Sequence, residues 1–304
     1  MRNILVTGGT GFVSGAIAGT FVGRGDSVTV LNRGNSPQPA GVNFLQADRH
    51  ETKEVLKGLY FDVILDVTAY SGADVESLLD AVEGYGTYIL ISSSAVYPET
   101  APQPFSEETE LGANRFWGAY GTGKIEAEAA LTAHDPDAYI LRPPYLYGPG
   151  NNLYREAFVF DCALAGRPFY LPGNGGMNLQ FFHIRDLCRF IEILLEKQPE
   201  HHIFNVGNPQ AVSVLDWVSL CYTAAGSALK TVSVSVAEEQ RNYFPFYRYE
   251  YFLDVKKQGL LMPETVSLEE GLRESLAWYT THPDFVRKKP LISYIDEHLK
   301  SGNL

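Results

Sequence analysis

The feature that most constrains the fold is a glycine-rich turn between an apolar strand and a helix. The turn reads Thr7-Gly8-Gly9-Thr10-Gly11-Phe12 and follows the strand-like segment Asn3–Thr7 directly. Gly8 allows a tight turn, and Gly11 lets the backbone approach a pyrophosphate because no Cβ stands in the way. The amides and dipole at the start of the next helix favour an anion at the same place. The turn therefore predicts a βαβ unit that binds a dinucleotide.

The same motif assigns the residues that would hold the phosphates. A third glycine is expected at position 14, where the chain has Ser14, which is also small. The predicted contacts are Gly8, Thr10, Gly11, Phe12 and Val13. The alternative is a glycine-rich turn without a ligand.

The helix that follows carries Gly15, Gly19 and Gly23 at four-residue spacing, on one face. Each costs about 1 kcal/mol relative to alanine in a helix interior. Either this helix approaches the sheet unusually closely, or it is a weak helix that tertiary packing tolerates.

The end of the second predicted strand bears on which dinucleotide binds. An acidic residue there holds the ribose hydroxyls of NAD, whereas an arginine accommodates the 2′-phosphate of NADP. The chain has Asn32-Arg33-Gly34 and no carboxylate, which favours NADP slightly. Arg33 is alternatively a solvated loop residue or a partner of the adenine ring. Asp48 is placed to contact the adenine amine, or to cap a helix over His50–Leu59.

Segments rich in β-branched and apolar residues alternate with helix-like segments through the first half of the chain. The predicted strands are Asn3–Thr7, Ser27–Asn32, Val42–Ala47, Phe61–Val67, Thr87–Ser92 and Ala138–Arg142. Runs such as Val63-Ile64-Leu65 are apolar without alternation, which is typical of a parallel sheet covered by helices on both faces. Repeated βαβ units predict an α/β fold with a doubly wound parallel sheet, the Rossmann arrangement.

Length and pattern also predict how the chain divides. With 304 residues, 45% of them hydrophobic, it is long enough for one large α/β unit and a smaller lobe. Residues 1–150 are predicted to form the dinucleotide-binding domain, to which 184–208 return, and 151–304 mainly to form a smaller α/β substrate-binding lobe. The later helix-like segments are Tyr154–Ala165, Ile184–Lys197 and Leu268–Tyr279, and His202–Val206 is strand-like.

Composition restricts the classes of partner and compartment. A net charge of −12 disfavours nonspecific binding to nucleic acid. No apolar run approaches the roughly 20 residues that span a bilayer, and the first residues lack a signal-peptide pattern. Cys162, Cys188 and Cys221 form no CxxC, and the histidines show no HxxxH spacing. We expect a cytoplasmic protein without a metal site or a membrane segment.

Two segments carry groups suited to proton transfer. The fifth predicted strand runs into Ser92–Tyr97, and a helix-like stretch contains Tyr120-Gly121-Thr122-Gly123-Lys124. Tyr120 and Lys124 lie on one helical face, so the ammonium stands near the phenol. A free tyrosine has a pKa of about 10, so a neighbouring lysine and a cationic nicotinamide are needed to favour its phenolate. With a serine hydroxyl on the same substrate oxygen, these groups suit proton transfer at a carbinol while a nicotinamide accepts hydride.

In this order the motifs resemble the extended short-chain dehydrogenase/reductase family, specifically its NAD(P)-dependent sugar epimerase/dehydratase branch. The resemblance covers nearly the whole chain and rests on Thr7–Phe12, Ile91–Tyr97, Tyr120–Lys124, Leu141–Pro144, Tyr147–Gly150, Pro172–Gly175, His183–Leu187 and Leu268–Tyr279. It implies that Tyr120 is the general acid/base and that Lys124 lowers the pKa of Tyr120 and holds the nicotinamide ribose. It also implies that Ser93, in preference to Ser94, is the hydroxyl residue.

The resemblance further implies that Pro143 and Tyr145 border the nicotinamide. Two departures narrow the substrate. Members that eliminate water typically follow the hydroxyl residue with an acidic pair, whereas this chain has Ser94-Ala95, which disfavours dehydration. Many nucleotide-sugar members carry an arginine for a diphosphate where this chain has Gln180, which offers a hydrogen bond without charge. Arg248 is the best remaining anion contact, or else an exposed arginine beside tyrosines.

A sugar or nucleotide-sugar-like substrate is therefore implied, with epimerisation or reduction of a carbinol as the two open reactions. The branch favours an epimerase, and the missing carboxylate beside Asn32 favours an NADPH-dependent reductase. The second class is an RNA-associated or non-catalytic NAD(P)-binding protein, because Leu31–Gly34 and Ala47–Arg49 also resemble the branch of chloroplast stem-loop-binding proteins. The Tyr120/Lys124 pair and the charge of −12 argue against that class.

Members of the family commonly dimerise through helices that correspond here to Asp74–Tyr85 and Phe116–Thr132, which implies a homodimer. The aromatic stretch Tyr243–Phe252 either lines a sugar pocket or packs between the lobes, and packing is favoured.

Overall fold

A computed structural model describes residues 1–300 of the chain. The strands, in chain order, are β1 (Asn3–Thr7), β2 (Ser27–Asn32), β3 (Asn43–Gln46), β4 (Tyr60–Asp66), β5 (Gly84–Ile91), β6 (Tyr139–Arg142), β7 (Tyr145–Tyr147), β8 (Phe169–Pro172), β9 (Asn178–Leu179), β10 (Phe181–His183), β11 (Ile203–Asn205), β12 (Val212–Ser213) and β13 (Thr231–Val234). The helices are α1 (Phe12–Gly23), α2 (Lys53–Leu56), α3 (Gly72–Leu79), α4 (Ala119–His134), α5 (Glu156–Leu164), α6 (Ile184–Lys197), α7 (Val214–Ala224), α8 (Lys256–Leu261), α9 (Leu268–Thr281) and α10 (Leu291–Tyr294).

A seven-stranded sheet organises the first compact unit, which comprises Met1–Pro144, Ile184–Pro209 and Leu253–Glu264. Its order is β11-β6-β5-β4-β1-β2-β3, and every neighbouring pair is parallel. The order reverses direction between β1 and β4, which is where ligands bind in open parallel sheets, beyond the carboxyl ends of the strands. The glycine turn after β1 lies at this reversal. The fold is the doubly wound α/β sheet that the sequence predicts.

The centre of this sheet is covered on both faces. Consecutive residues of β1, Ile4, Leu5 and Val6, are fully buried although their side chains point to alternate faces. Helices α3 and α4 cover the face that carries Leu5 and Leu90, and α1 packs against α6. Burial on both sides explains why these strands are apolar without alternation.

The second compact unit comprises Tyr145–His183, Gln210–Phe252 and the chain from Thr265 onward. It contains three two-stranded pairs, of which β7–β10 and β8–β13 are parallel and β9–β12 is antiparallel. Its interior is aromatic: Phe181 stacks on Trp217 at 5.5 Å between ring centroids, and Phe246 meets Trp217 at 5.3 Å. The aromatic stretch around Phe246 thus contributes to the core of this unit.

The compact units differ in detail from the predicted division at residue 150. The first segment of the first unit ends at Pro144, and α8 belongs to the same unit. The Gln258 side chain of α8 explains why, because it accepts a hydrogen bond from the Gly207 amide at 2.7 Å and donates to the Gly207 carbonyl at 3.2 Å. Within residues 1–300, no helix is long and apolar enough to cross a membrane.

Two predicted helices are wrong in extent. The helix predicted over His50–Leu59 is reduced to α2, and the one predicted over Asp74–Tyr85 ends at Leu79. The apolar spacing continues past Leu79, but Gly84 and Tyr85 already belong to β5. A Cβ at Gly86 would lie 2.7 Å from the Asp62 carbonyl, so the close pairing of β5 with β4 decides this segment.

The three glycines on one face of α1 have different surroundings. A Cβ on Gly15 would lie 3.3 Å from the Gly9 carbonyl, whereas Gly19 and Gly23 have nothing within 4 Å of that position. On this glycine face, among residues 1–300, only Gly15 in the first turn therefore lies close to other backbone. The hypothesis that the whole glycine face approaches the sheet closely is therefore wrong, and Gly19 and Gly23 simply weaken the helix.

Replacing Gly19 or Gly23 by alanine is expected to stabilise the protein by up to about 1 kcal/mol each, because alanine restricts the unfolded chain and meets no neighbour. Urea denaturation followed by circular dichroism measures the change. Gly15→Ala is the matched control, and its gain should be absent because the new methyl group meets the Gly9 carbonyl. A loss of stability in Gly19→Ala would contradict this explanation.

Candidate functional site

The glycine turn has a backbone that favours glycine and space that excludes a side chain. The φ angles of Gly8 and Gly9 are +95° and +96°. A Cβ on Gly8 would lie 2.9 Å from Ser14 Oγ, so Ser14 fills the space under the turn where a third glycine is usual. A Cβ on Gly9 would lie 2.5 Å from Val30 Cγ1.

The start of α1 has the properties of an anion site. Gly11 is the N-cap residue and provides no side-chain hydrogen bond to the first helical amides. Thr10 and Gly11 are exposed, and Phe12 and Val13 are half-buried. Uncapped amides at a helix start suit a phosphate. The residues present therefore fit the pyrophosphate of a dinucleotide.

Asn32 supports the glycine turn from the end of β2. Its Nδ2 donates to the Gly8 carbonyl at 2.5 Å and to Gln38 Oε1 at 2.9 Å. Its Oδ1 accepts a hydrogen bond from the Gly34 amide at 2.9 Å. Because these bonds use both the donor and the acceptor of the Asn32 amide, this side chain holds the glycine turn in its conformation.

Arg33 and Asp48 lie beyond the ends of β2 and β3. Arg33 is exposed, and its guanidinium makes no hydrogen bond to any of residues 1–300. Asp48 is half-buried and accepts a hydrogen bond from the His50 amide at 3.1 Å. Asp48 therefore closes a local turn rather than capping a helix, because α2 begins only at Lys53.

A buried ionic network next to the glycine turn was missed by the sequence analysis. Asp66, fully buried at the end of β4, accepts hydrogen bonds from Thr7 Oγ1 at 2.7 Å and from the Tyr88 hydroxyl at 2.6 Å. Arg49 donates to both Asp66 oxygens, at 3.2 and 3.1 Å. Burial raises the pKa of Asp66, but the charge and hydrogen bonds of Arg49 outweigh it and lower the pKa below its usual value. The sequence signal for this network is Asp66, a carboxylate at the end of an apolar strand.

Lys124 is buried and joins the carboxyl ends of two central strands. Its ammonium donates to the carbonyls of Ala69, after β4, and Ile91, at the end of β5, both at 2.7 Å. Burial lowers the pKa of Lys124 to about 8. A lysine with so perturbed a pKa at the ligand-binding edge of a parallel sheet is typical of a functional group.

The two glycines between Tyr120 and Lys124 explain how the ammonium reaches these carbonyls. A Cβ on Gly121 would lie 2.5 Å from the Ala95 carbonyl, and one on Gly123 would lie 2.0 Å from the Tyr70 carbonyl. Helix α4 therefore packs directly on the backbone that follows β4 and β5. The Tyr120–Lys124 motif contains both glycines, but the sequence pattern does not indicate this contact.

Tyr120 is accessible while Lys124 is not. Tyr120 lies in the first turn of α4 and is 42% exposed. Its ring centroid is 6.2 Å from that of Tyr70, and Lys124 Nζ is 5.0 Å from the Tyr70 ring. Tyr70, which the sequence did not indicate, therefore stands beside both members of the pair.

The three serines after β5 have different environments. Ser92 is buried and donates to Glu128 Oε1. Ser93 is half-buried, and its Oγ accepts a hydrogen bond from the Ala95 amide at 3.2 Å. Ser94 is buried, and its amide donates to the Pro143 carbonyl at 2.9 Å. Ser93 is thus the most accessible of the three hydroxyl residues.

A buried ion pair fixes α4 against the neighbouring strands. Arg142, at the end of β6, donates from Nη2 to Glu128 Oε2 at 2.6 Å and from Nε to Glu128 Oε1 at 3.0 Å. Arg142 Nη1 also donates to the Tyr97 hydroxyl at 2.8 Å. Because Glu128 lies one turn after Lys124, this pair sets the position of the lysine-bearing face.

Three predicted contacts lie in the second unit. Tyr145 opens β7 and is buried, with its ring centroid 4.6 Å from that of Phe246. Gln180 is also buried, and its backbone carbonyl accepts a hydrogen bond from the backbone amide of Tyr145 at 3.3 Å. Arg248 is exposed and donates to the Glu238 carbonyl at 2.9 Å. In the part of the chain that the structure describes, no cluster of three His, Cys, Asp or Glu residues suits a metal ion.

The sheet order and the glycine turn define a Rossmann-fold protein of the dinucleotide-binding class. The profile of the "NAD dependent epimerase/dehydratase family" matches residues 4–207, and the chain belongs to that family.

Proteins from a plant and from bacteria are similar to most of the chain. The chloroplast stem-loop binding protein of 41 kDa b from Arabidopsis thaliana is 28% identical over 300 residues, which cover 90% of this chain and 78% of the relative. A UDP-glucose 4-epimerase from Corynebacterium glutamicum is 27% identical over 269 residues, covering 73% of this chain and 80% of the relative. The structure of UDP-glucuronic acid 4-epimerase from Bacillus cereus, in complex with UDP-glucuronic acid and NAD, superposes with a TM-score of 0.71 at 19% identity, covering 91% and 99% of the two chains.

Replacing Gly123 by alanine is expected to move α4 away from the Tyr70 carbonyl and to separate Lys124 from its two carbonyl partners. We expect a loss of stability of about 1–3 kcal/mol from overpacking, and a loss of cofactor affinity. Urea denaturation and calorimetric titration with NAD(H) measure the two effects. Thr122→Ala, one residue earlier on the same helix, is the control. Wild-type stability in Gly123→Ala would show that the close approach is dispensable.

Proposed function

We propose that this protein is an NAD(P)-dependent epimerase or reductase that acts on a carbinol of a sugar or nucleotide-sugar-like substrate. The observation that carries the proposal is the buried Lys124, held by two carbonyls one turn from the accessible Tyr120. The relatives named UDP-glucose 4-epimerase and UDP-glucuronic acid 4-epimerase support a sugar substrate.

In this proposal Tyr120 exchanges a proton with the carbinol oxygen, and the charge of Lys124 favours the phenolate. The Ser93 hydroxyl donates a hydrogen bond to the same oxygen and stabilises developing negative charge. Bound NAD(P) supplies or accepts the hydride. Pro143 and Tyr145 border the nicotinamide, and the open start of α1 holds the pyrophosphate.

The direction of hydride transfer separates the two reactions. An epimerase returns the hydride to the other face of a keto intermediate, whereas a reductase consumes NADPH. We disfavour dehydration because Ser94-Ala95 stand where dehydratases carry an acidic pair. Ser94, Gln180 and Arg248 are the proposed substrate contacts. Trapping of a keto intermediate, against net consumption of NADPH, distinguishes the epimerase from the reductase.

Replacing Tyr120 by phenylalanine removes the proton donor and leaves the ring. Turnover on a panel of UDP-hexoses and keto-sugars is expected to fall by about 10²- to 10⁴-fold, with nearly unchanged NAD(P) affinity. Tyr60→Phe, at an exposed tyrosine that opens β4, is the control and should keep wild-type turnover. Unchanged turnover in Tyr120→Phe would contradict the assignment of Tyr120 as the group that transfers the proton.

We further propose a slight preference for NADP, with the exposed Arg33 at the 2′-phosphate and Asp48 at the adenine amine. Arg33→Gln is then expected to weaken NADPH binding about 10- to 100-fold and to leave NADH binding unchanged, because only NADPH carries the phosphate. Calorimetric titration of the purified protein measures both affinities, with the exposed Lys57→Gln as the charge-matched control. Tighter binding of NADH by the wild-type protein would overturn this preference.

We also propose a cytoplasmic homodimer that associates through α3 and α4. Light scattering of the purified protein tests the dimer, and a monomer at micromolar concentration would exclude it.

A second candidate is RNA association, which the 28% identity to the chloroplast stem-loop binding protein favours. It predicts retention of stem-loop RNA at physiological salt. Because a net charge of −12 opposes nonspecific binding to phosphate, only salt-resistant and structure-selective retention supports this function. A filter-retention assay with a stem-loop and an unstructured RNA of equal length measures it. Equal or absent retention excludes it.

A further inference from the structure

Three cationic side chains of the second unit come from separate segments of the chain. Arg155 directly precedes α5, Arg241 lies in a short 3-10 turn at Gln240–Asn242, and Lys289 comes just before α10. Among residues 1–300, none of the three side chains forms a salt bridge. Arg155 and Lys289 also make no side-chain hydrogen bond there, and Arg241 donates to the Pro245 carbonyl.

Aromatic contacts place the two guanidinium groups against adjacent rings, those of Phe246 and Tyr247. The Arg155 guanidinium carbon lies 4.9 Å from the Tyr145 ring centroid and 5.6 Å from that of Phe246. The Arg241 guanidinium lies 4.6 Å from the ring of Tyr247, the next residue after Phe246. Cation–π contacts orient guanidinium groups but do not neutralise their charge.

The three charges repel one another. Burial and the charge of Arg155 lower the pKa of Arg241, and burial with both arginine charges lowers the pKa of Lys289. Two carboxylates are in range. Glu239 is exposed and accepts a hydrogen bond from the Arg241 backbone amide at 3.2 Å, and Glu156 is buried, which raises its pKa. Among residues 1–300, neither carboxylate forms an ion pair with the three cationic side chains.

We propose that Arg155, Arg241 and Lys289 form an anion subsite that binds the phosphate of a phosphorylated sugar. A guanidinium group can donate two parallel hydrogen bonds to two oxygens of one phosphate. A phosphate dianion also matches the positive charge of the three side chains. The assignment of this cluster as a substrate subsite rests on the proposed function. In that proposal Tyr145 borders the nicotinamide, and Arg155 contacts Tyr145.

Calorimetric titration of the full-length protein with glucose 6-phosphate tests the subsite. Arg155→Gln and Arg241→Gln are each expected to weaken binding about 10- to 100-fold, and Lys289→Gln to weaken it less, because each arginine loses charge-assisted hydrogen bonds. Lys288→Gln is the matched control: this neighbouring lysine has its own carboxylate, Asp161, at 2.9 Å, and its removal should leave phosphate binding unchanged.

A second measurement separates a binding role from a structural one. Arg155→Gln removes both a repulsion and the cation–π contacts with Tyr145 and Phe246, so the melting temperature of the free protein should change little, while the stabilisation by inorganic phosphate should fall. A lower melting temperature together with unchanged phosphate binding would overturn the proposal.

Two further ligands distinguish the source of the anion. UDP and glucuronate are titrated under the same conditions. Tight, cluster-dependent binding of UDP or glucuronate without binding of glucose 6-phosphate would overturn the sugar-monophosphate assignment, and so would no binding of any of them. These titrations need neither turnover nor NAD(P). Failure of the subsite is seen in the titrations, whereas failure of the proposed carbinol chemistry is seen as unchanged turnover in the Tyr120→Phe variant. The two failures are therefore distinguishable.

Discussion

The candidate site depends on the two hydrogen bonds that Lys124 donates to the carbonyls of Ala69 and Ile91. They require α4 to lie directly on the backbone after β4 and β5, which Gly121 and Gly123 permit. They also place a cation at the carboxyl edge of the sheet, where water no longer solvates it fully. The two hydrogen bonds therefore link the ends of two strands to the helix that carries the accessible Tyr120.

Arginines near the candidate site and arginines near Tyr145 differ in their ion-pair partners. In the first unit, Arg49 pairs with Asp66 and Arg142 with Glu128, each through two or more hydrogen bonds. Such pairs offset the cost of burial and hold neighbouring strands and helices in one arrangement. In the second unit, Arg155 and Arg241 have aromatic neighbours and, among residues 1–300, no carboxylate partner. A structural role accounts for the paired arginines, whereas the unpaired cluster is more typical of a binding surface.

Much of the fold could be predicted because its signals are local. The glycine turn, the apolar strands and the helix Ile184–Lys197 follow from patterns within a few residues, and the bounds of β1, β2 and α6 match the prediction. The prediction was wrong where a distant partner decides the outcome. The segment after Leu79 has helical spacing, but pairing with β4 makes its end a strand.

The sequence by itself determined the order of the motifs, the four-residue spacing of Tyr120 and Lys124, and the glycine at each sharp turn. Only the tertiary structure decided which groups these residues meet. Lys124 lies 55 residues from Ala69, and Arg49 lies 17 residues from Asp66. The strand order brings these partners together, and no local pattern records it. The same reason hid the cluster around Arg155, because its three cations come from separate segments and become neighbours only when the second unit packs.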